Sequence, residues 1–453
     1  MLDTDLLLLI LLALAGGKIL GMISERLGFP SIIGELTVGI VMVLLLPGMV
    51  HEYETDLEFM ANLGVMFMMF IMGLSINIET VMKANARSAT AITLIGASLV
   101  FVTAAFFTLV TGLAMGQEFY YSLAQACIIG IALTSTSTVI GFRYLTAIGD
   151  RFSNVFKTLV AVEVTDGIFS IVLLAVFLSV IGVYTTMVAG GGADLGKLLS
   201  EIGWSSFKLL LLILGFMILV IKFGGKVANW MLGITRKEGE NDTIITLSLV
   251  LLFGVAWLSE WLQLTPVIGA FLAGAILAGS PFSETVIAPK IKAVGYGLFI
   301  PIFFAFIGMK MDFGAIFGGA SLNVLGIGIP YYFLLFLLLL GGVLVSKYAG
   351  AIIGCAYAGG FKPFEAGKIG SSAVCVGEDT LVIAQIGSTV LFAAGTAEGQ
   401  PLVTSQLFSV LGLLIIATSI ITPFLLNVTF SKSRSQTPPI RSRHRHRTRG
   451  GGL

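Results

Sequence analysis

The sequence predicts an all-α polytopic membrane protein of thirteen transmembrane helices, arranged as two six-helix repeats of inverted topology that each contain one discontinuous helix. Three observations predict it. Hydrophobic residues make up 57% of the chain against 11% charged, and the mean hydropathy is +1.01, which excludes a water-soluble domain of this length. Apolar runs of about 17 or more residues recur between polar breaks, each long enough to cross a hydrocarbon core. Lysine and arginine fall almost wholly on alternate breaks. The 55 glycines agree, because small residues let transmembrane helices approach where lipid supplies no hydrophobic drive to pack them.

The runs begin near Asp5, Ser31, Phe59, Ser88, Phe119, Val155, Trp204, Thr243, Thr265, Gly295, Val324, Glu365 and Gln406. An odd number of spans puts the termini on opposite sides. Arg26, Lys83, Arg87, Arg143, Arg151, Lys157, Lys222, Lys226, Arg236, Lys237, Lys290, Lys292, Lys362 and Lys368 fall on one side, and only Lys197, Lys208 and Lys310 on the other. The positive-inside rule then places the N-terminus outside and the C-terminus in the cytoplasm. Asp3 and Asp5 precede the first run in place of a positive n-region, so it reads as a retained helix rather than a cleaved signal peptide. Residues 431–453, with Arg441, Arg443, Arg445, Arg447 and Arg449, read as a solvated basic tail.

Two spans look interrupted. The fifth carries Thr134-Ser135-Thr136-Ser137-Thr138 at mid-run, where hydroxyl and β-branched side chains compete with the helical ladder. The twelfth carries Gly370-Ser371-Ser372 and then Gly377-Glu378-Asp379. The fifth runs outside to inside and the twelfth inside to outside. Interrupted segments at matching places in oppositely oriented halves point to a transporter whose site lies where the half-helices meet. The seventh span, residues 204–231, becomes the linker between repeats. No phosphate loop or nucleotide fingerprint is present, so coupling to an ion gradient is the simpler energy source.

Ionisable residues at depth carry the chemistry. Asp166 lies in the sixth span, and at about 1.5 Å per residue from Val155 it is roughly 17 Å deep. Placing an ionised aspartate at a helix centre costs about 2.5–3.5 kcal/mol, so such acids usually face a cavity and carry an ion or proton. Glu163, three residues earlier, shares that helix face as a second ligand, a proton relay or a partner for Lys347. Lys347 in the eleventh span sits at similar depth and is the natural charge partner, a static Asp–Lys bridge being the plainer role. Glu35 and Glu260 read as capping or interface acids. Glu378 and Asp379 follow the twelfth-span break, where a half-helix N-terminus can hold a carboxylate. Burial disfavours the charged form of a carboxylate, so one acid at depth can hold a proton or a metal cation but not both, and exchange follows from that competition.

Cys127, Cys355 and Cys375 fall in apolar runs without metal-like spacing and read as core hydrophobes. No cofactor is implied, nothing points to a nucleic-acid partner, and the partner that the composition requires is the lipid bilayer. Intramembrane serine chemistry needs a histidine at depth, and His51, His444 and His446 all lie in polar stretches, so the chain is not expected to be an enzyme.

Four stretches carry a family resemblance: Gly28-Phe29-Pro30-Ser31-Ile32-Ile33-Gly34-Glu35-Leu36-Thr37-Val38-Gly39-Ile40, Leu63-Gly64-Val65-Met66-Phe67 through Gly73-Leu74, Pro266-Val267-Ile268-Gly269-Ala270-Phe271-Leu272-Ala273-Gly274, and Pro301-Ile302-Phe303-Phe304 through Gly308-Met309. In this order, over residues 5–430, the chain resembles the monovalent cation/proton antiporter superfamily, in the branch of the bacterial Kef-type and NapA-type exchangers. The resemblance implies a Na+/H+ exchanger, with K+ or Li+ as other possible cations, in a prokaryotic inner membrane and serving pH homeostasis. It implies a homodimer in which a core domain slides, elevator fashion, against a dimerisation domain. Residues 1–82 and 243–315 would be dimerisation helices, 83–185 and 320–430 the core, 200–235 the linker helix and 431–453 the cytoplasmic tail.

Residue by residue, Asp166 matches the family's essential ion-binding aspartate and Lys347 the core lysine of electrogenic members. Thr134, Ser135, Thr136 and Ser137 match the first crossed, unwound helix, and residues 370–377 the second, which ends at Gly377 and Glu378. Thr165 departs from the pattern: electrogenic relatives place aspartate there and electroneutral ones asparagine. A single carboxylate at that pair, with Thr165 beside it, favours one-for-one electroneutral exchange, although a lysine that releases its own proton could restore charge movement. The Kef-type nucleotide-binding tail has no counterpart, which tells against thiol-gated potassium efflux. The competing expectations are a sodium-coupled symporter of a small organic anion on the same plan and a non-transporting sensor or channel.

Overall fold

The computed structural model describes residues 4–75, 86–138, 140–141, 145, 153–189, 215, 241–262, 266–318, 320–324, 327–392 and 399–434. α1 (Thr4–Arg26) opens with Asp5 and closes with Arg26, each placed to offset the helix dipole at its own end. Gly28, at φ 90°, makes the turn into Pro30, whose carbonyl accepts the Ser24 hydroxyl at 2.7 Å. α2 (Ser31–Leu45), the short α3 (Pro47–Glu52) and α4 (Glu54–Leu74) follow. Next come α5 (Ala86–Ala114), α6 (Phe119–Thr134) and the 36-residue α7 (Asn154–Ala189).

The second half begins with α8 (Asn241–Trp261) and α9 (Pro266–Ala278). A helical path from Ser283 to Lys310 is built from α10 (Ala288–Val294) and α11 (Ile300–Lys310), each preceded by a π turn, Ser283–Ile287 and Gly295–Phe299. The short α12 (Phe313–Phe317) leads to α13 (Tyr331–Ala358). α14 (Pro363–Ala373), α15 (Asp379–Thr389) and α16 (Ser405–Arg434) complete the described chain. Among the described residues, eight helices are long and apolar enough to cross a membrane, and α2, α6 and α9 are shorter apolar helices. The protein is a mostly helical polytopic membrane protein.

Several sequence expectations are corrected. The chain is not all-α: β1 (Ser321–Val324) pairs antiparallel with β2 (Ile327–Pro330), and β3 (Leu391–Phe392) with β4 (Gln400–Pro401). That first ladder occupies the start expected for the eleventh span, so the helix begins at Tyr331, directly after Pro330. The tenth span starts at Ser283 rather than near Gly295, because Pro289, Lys290 and Lys292 sit in the first turns of a helix, with Lys290 paired to Asp242 at 3.0 Å, rather than in a loop. α16 continues four residues past the expected start of the tail. The rest of the tail lies outside the described residues, as does the linker span apart from Gly215.

The helices pack in two sets. α1, α2, α4, α8, α9 and α11 pack among themselves, and α5, α6, α7, α13, α14, α15 and α16 among themselves. In the first set, Phe70 of α4 and Phe303, Phe304 and Phe306 of α11 are almost fully buried, and a Cβ on Gly39 of α2 would collide with the Ala305 carbonyl of α11. In the second set, a Cβ on Gly350 of α13 would stand 2.5 Å from the Gly96 Cα of α5. Backbone contact this close is what glycine permits between membrane helices.

Candidate ion-exchange site

The site begins where α6 stops. Thr134 is its last residue and Ser135 is extended, at φ −61° and ψ 136°. The second break lies between α14 and α15, over residues 374–378. It is narrower than the sequence suggests: Gly370, Ser371 and Ser372 are inside α14. These small residues are a packing surface, since Gly370 lies against Tyr348 and the Ser371 hydroxyl meets that of Thr429 at 2.7 Å.

The two breaks pair with each other. Thr136 and Val376 form an antiparallel bridge, with Ser137 N donating to Cys375 O at 3.0 Å and Gly377 N to Ser135 O at 3.2 Å. Side chains complete the junction. Ser135 Oγ donates to Asp379 Oδ2 at 3.1 Å, Thr380 Oγ1 to Ala132 O at 2.7 Å, and Val376 N to Thr418 Oγ1 of α16 at 3.2 Å. Backbone groups freed from a helical ladder inside a membrane must find such partners.

Lys347, 3% exposed, reaches this junction from α13. It donates to the Ser135 carbonyl and, at 3.1 Å, to Thr136 Oγ1. Its cation therefore sits on the negative end of the α6 dipole. Asp166 of α7 is 6% exposed. With Lys347, Thr134 and Thr136 it borders a cavity of about 20 Å³, room for one water-sized occupant. Lys290 pairs with Asp242 and Lys310 with Glu54, both outside this junction. The bridge between Lys347 and Asp166 does not form, although both side chains border the same small cavity.

Glu163, one turn before Asp166, accepts the Thr138 hydroxyl at 2.6 Å and faces a wider cavity of about 280 Å³ that also touches Thr136, Ser137, Glu378 and Asp379. A third cavity, about 170 Å³, shares Ser137, Tyr296 and Glu378 with it and extends to Glu25, Ser31 and Glu35 at the α1–α2 turn. Thr136 borders both the wide cavity and the small one holding Asp166. The structure thus gathers Thr134, Ser135, Thr136, Ser137, Glu163, Asp166, Lys347, Gly377 and Glu378 around one junction. Thr165 is turned away, its hydroxyl donating to Ala161 O in its own helix at 2.7 Å. Tyr296 and Thr93 were not expected from sequence. Tyr296 falls at the expected start of the tenth span, one aromatic among many in apolar runs, and Thr93 is a lone hydroxyl in another.

A polytopic membrane protein in which the extended segment after α6 meets the break between α14 and α15 beside a buried acid and a buried lysine has the build of a secondary transporter. The chain belongs to the family described as sodium/hydrogen exchanger, transmembrane, which matches residues 8–432. It is 29% identical over 427 residues to the Na+/H+-K+ antiporter GerN of Bacillus cereus, covering 93% of this chain and 95% of that one. It is 27% identical over 404 residues to a Na+/H+ antiporter of Enterococcus hirae, covering 89% and 92%. These relatives are transporters, not enzymes. The structure of the sodium proton antiporter MjNhaP1 from Methanocaldococcus jannaschii shares the fold, with a TM-score of 0.60 at 17% identity over 94% of this chain and 99% of that one.

Proposed function

We propose that the protein exchanges a monovalent cation, Na+ in the first place and K+ or Li+ as alternatives, for H+ across a prokaryotic cell membrane, with Asp166 carrying each in turn. The observation that carries this reading is Asp166 buried beside Thr136 of the unwound segment, in a cavity that fits one water-sized occupant. Lys347 is occupied with the end of α6, so the carboxylate stays available to an incoming cation. One acid in place of a pair makes one-for-one, electroneutral exchange the stoichiometry we assign. The same confined cavity, with Glu163, Glu378 and Asp379 around the wider one, disfavours the organic-anion symporter, which needs room and positive lining.

In this reading the set containing α5–α7 and α13–α16 is the moving core and the set containing α1, α2 and α4 the dimerisation scaffold, two copies forming a homodimer. The wide cavities extend to the α1–α2 turn, the end that the positive-inside rule assigns to the cytoplasm. At the opposite end Gln385 Nε2 of α15 donates to Glu58 Oε1 of α4 at 3.3 Å, and Asp312 N to Ser409 Oγ of α16 at 2.6 Å. These contacts join the two sets and would close the outer entrance. Proteoliposomes carrying a fluorescent pH probe test the proposal. Asp166→Asn is expected to abolish cation-driven proton movement; exchange persisting in that variant, or wild-type flux with no fixed cation-to-proton ratio, as in a channel or sensor, overturns it.

A further inference from the structure

Two buried threonines of α5, Thr93 and Thr108, differ from the others, and only Thr93 stands at the proposed site. Buried threonines in membrane helices ordinarily donate to a carbonyl three or four residues back. Thr111 does so to Phe107 O at 2.7 Å, Thr134 to Ile131 O at 2.7 Å, Thr418 to Leu414 O at 2.8 Å and Thr422 to Thr418 O at 2.7 Å. Thr93 is 1% exposed, and its Oγ1, like that of Thr108 further along α5, makes no hydrogen bond of ordinary geometry among the described residues. Unlike Thr108, it lies within hydrogen-bonding reach of the Asp166 carboxylate, short of a well-formed bond. Ile92 and Gly96, its neighbours on α5, line the small cavity that Asp166, Thr136 and Lys347 also border.

A buried hydroxyl without a partner is costly, and one in a native structure calls for an occupant that satisfies it. The chemistry of the cavity says which. Asp166 offers two carboxylate oxygens. Thr136 Oγ1 accepts from Lys347 with one lone pair and keeps another. A dehydrated alkali cation takes several oxygens, and their number and spacing decide which cation is preferred. We infer that Thr93 is a ligand of the transported cation, its hydroxyl joining the Asp166 carboxylate and the Thr136 hydroxyl, and that this oxygen sets the site's preference among Na+, K+ and Li+. The inference rests on Asp166 being the shared carrier. In the proton-loaded state the same oxygen can accept the hydrogen bond of the Asp166 carboxyl, so Thr93 is satisfied in both halves of the cycle.

Three variants in proteoliposomes, assayed with Na+, K+ and Li+ separately, test it. Thr93→Val keeps the volume and removes the oxygen. It should raise the half-saturating Na+ concentration about tenfold and change the ratios among the three cations, while Thr93→Ser stays near wild type. Thr93→Cys, which places sulfur at the ligand position, should lose Na+ affinity and retain Tl+ as a softer substrate. Unchanged half-saturating concentrations in both Thr93→Val and Thr93→Cys overturn the inference. So does a shift of the activity–pH profile that is the same for every cation with the ratios intact, because Thr93 would then act only on the proton. Asp166→Asn in the same series separates the two readings: if it remains active the carrier assignment fails, and if it is dead while Thr93→Val is unaltered only the Thr93 ligand fails.

Discussion

Asp166 and Lys347 border one small cavity without forming an ion pair, an arrangement that suits the proposed exchange. A lysine clamped onto the carboxylate would compete with the incoming cation. One that lies on the Ser135 carbonyl and the Thr136 hydroxyl offsets the α6 dipole and leaves the acid open. Lys347→Met removes a charged donor from a buried carbonyl, which Gly377 N still serves. The expected loss is about 1.5–3 kcal/mol, from the usual worth of a hydrogen bond to a charged group. It should appear as a lowered midpoint in detergent thermal-shift measurements and persist in the Asp166→Asn background. Disappearance of the loss in that background would mean that the lysine serves the carboxylate alone. The acid and the lysine were both legible in the sequence, because an ionisable residue far inside an apolar run is costly and stands out. What each side chain touches was not, since nothing in the local sequence tells Lys347 to pass over Asp166 for a carbonyl on α6. Thr93 gave no signal at all, its hydroxyl being one of many in apolar runs.

At the scale of elements, hydroxyl and β-branched residues at Thr134–Thr138 correctly marked the end of α6, because they weaken the ladder locally. The same reasoning misplaced the start of the second break. Gly370, Ser371 and Ser372 are small for the sake of close packing against Tyr348 and Thr429, and small residues in a membrane helix mean contact as often as interruption. Charges near helix ends misled in a similar way at Lys290 and Lys292, which belong to the first turns of a span. The α5–α13 contact gives this scale its test. Gly350→Leu drives a side chain into the α5 backbone at Gly96, and overpacking of this kind costs about 1–3 kcal/mol. A lowered thermal midpoint together with lost exchange is expected. A stable and fully active Gly350→Leu protein would show that α5 and α13 are not held this close.

At the scale of the whole molecule, the polytopic helical class was readable because lipid enforces the length of an apolar run. Tertiary features were not: the short strand ladders, the pairing of the two breaks and the cavities that join the α1–α2 turn to Thr136 depend on residues far apart in the chain. In the proposed cycle, water would reach the junction from the α1–α2 turn, while the Gln385–Glu58 and Asp312–Ser409 contacts would close the other end. The central claim is that one carboxylate exchanges a proton for a cation. Adding Na+ to purified protein in weakly buffered detergent with a pH-sensitive dye measures this directly. The account predicts one proton released per Na+ bound, a release that shrinks as the starting pH rises and Asp166 is already deprotonated, and none from Asp166→Asn. Saturable Na+ binding with no proton release at any pH, or equal release from Asp166→Asn, would contradict it.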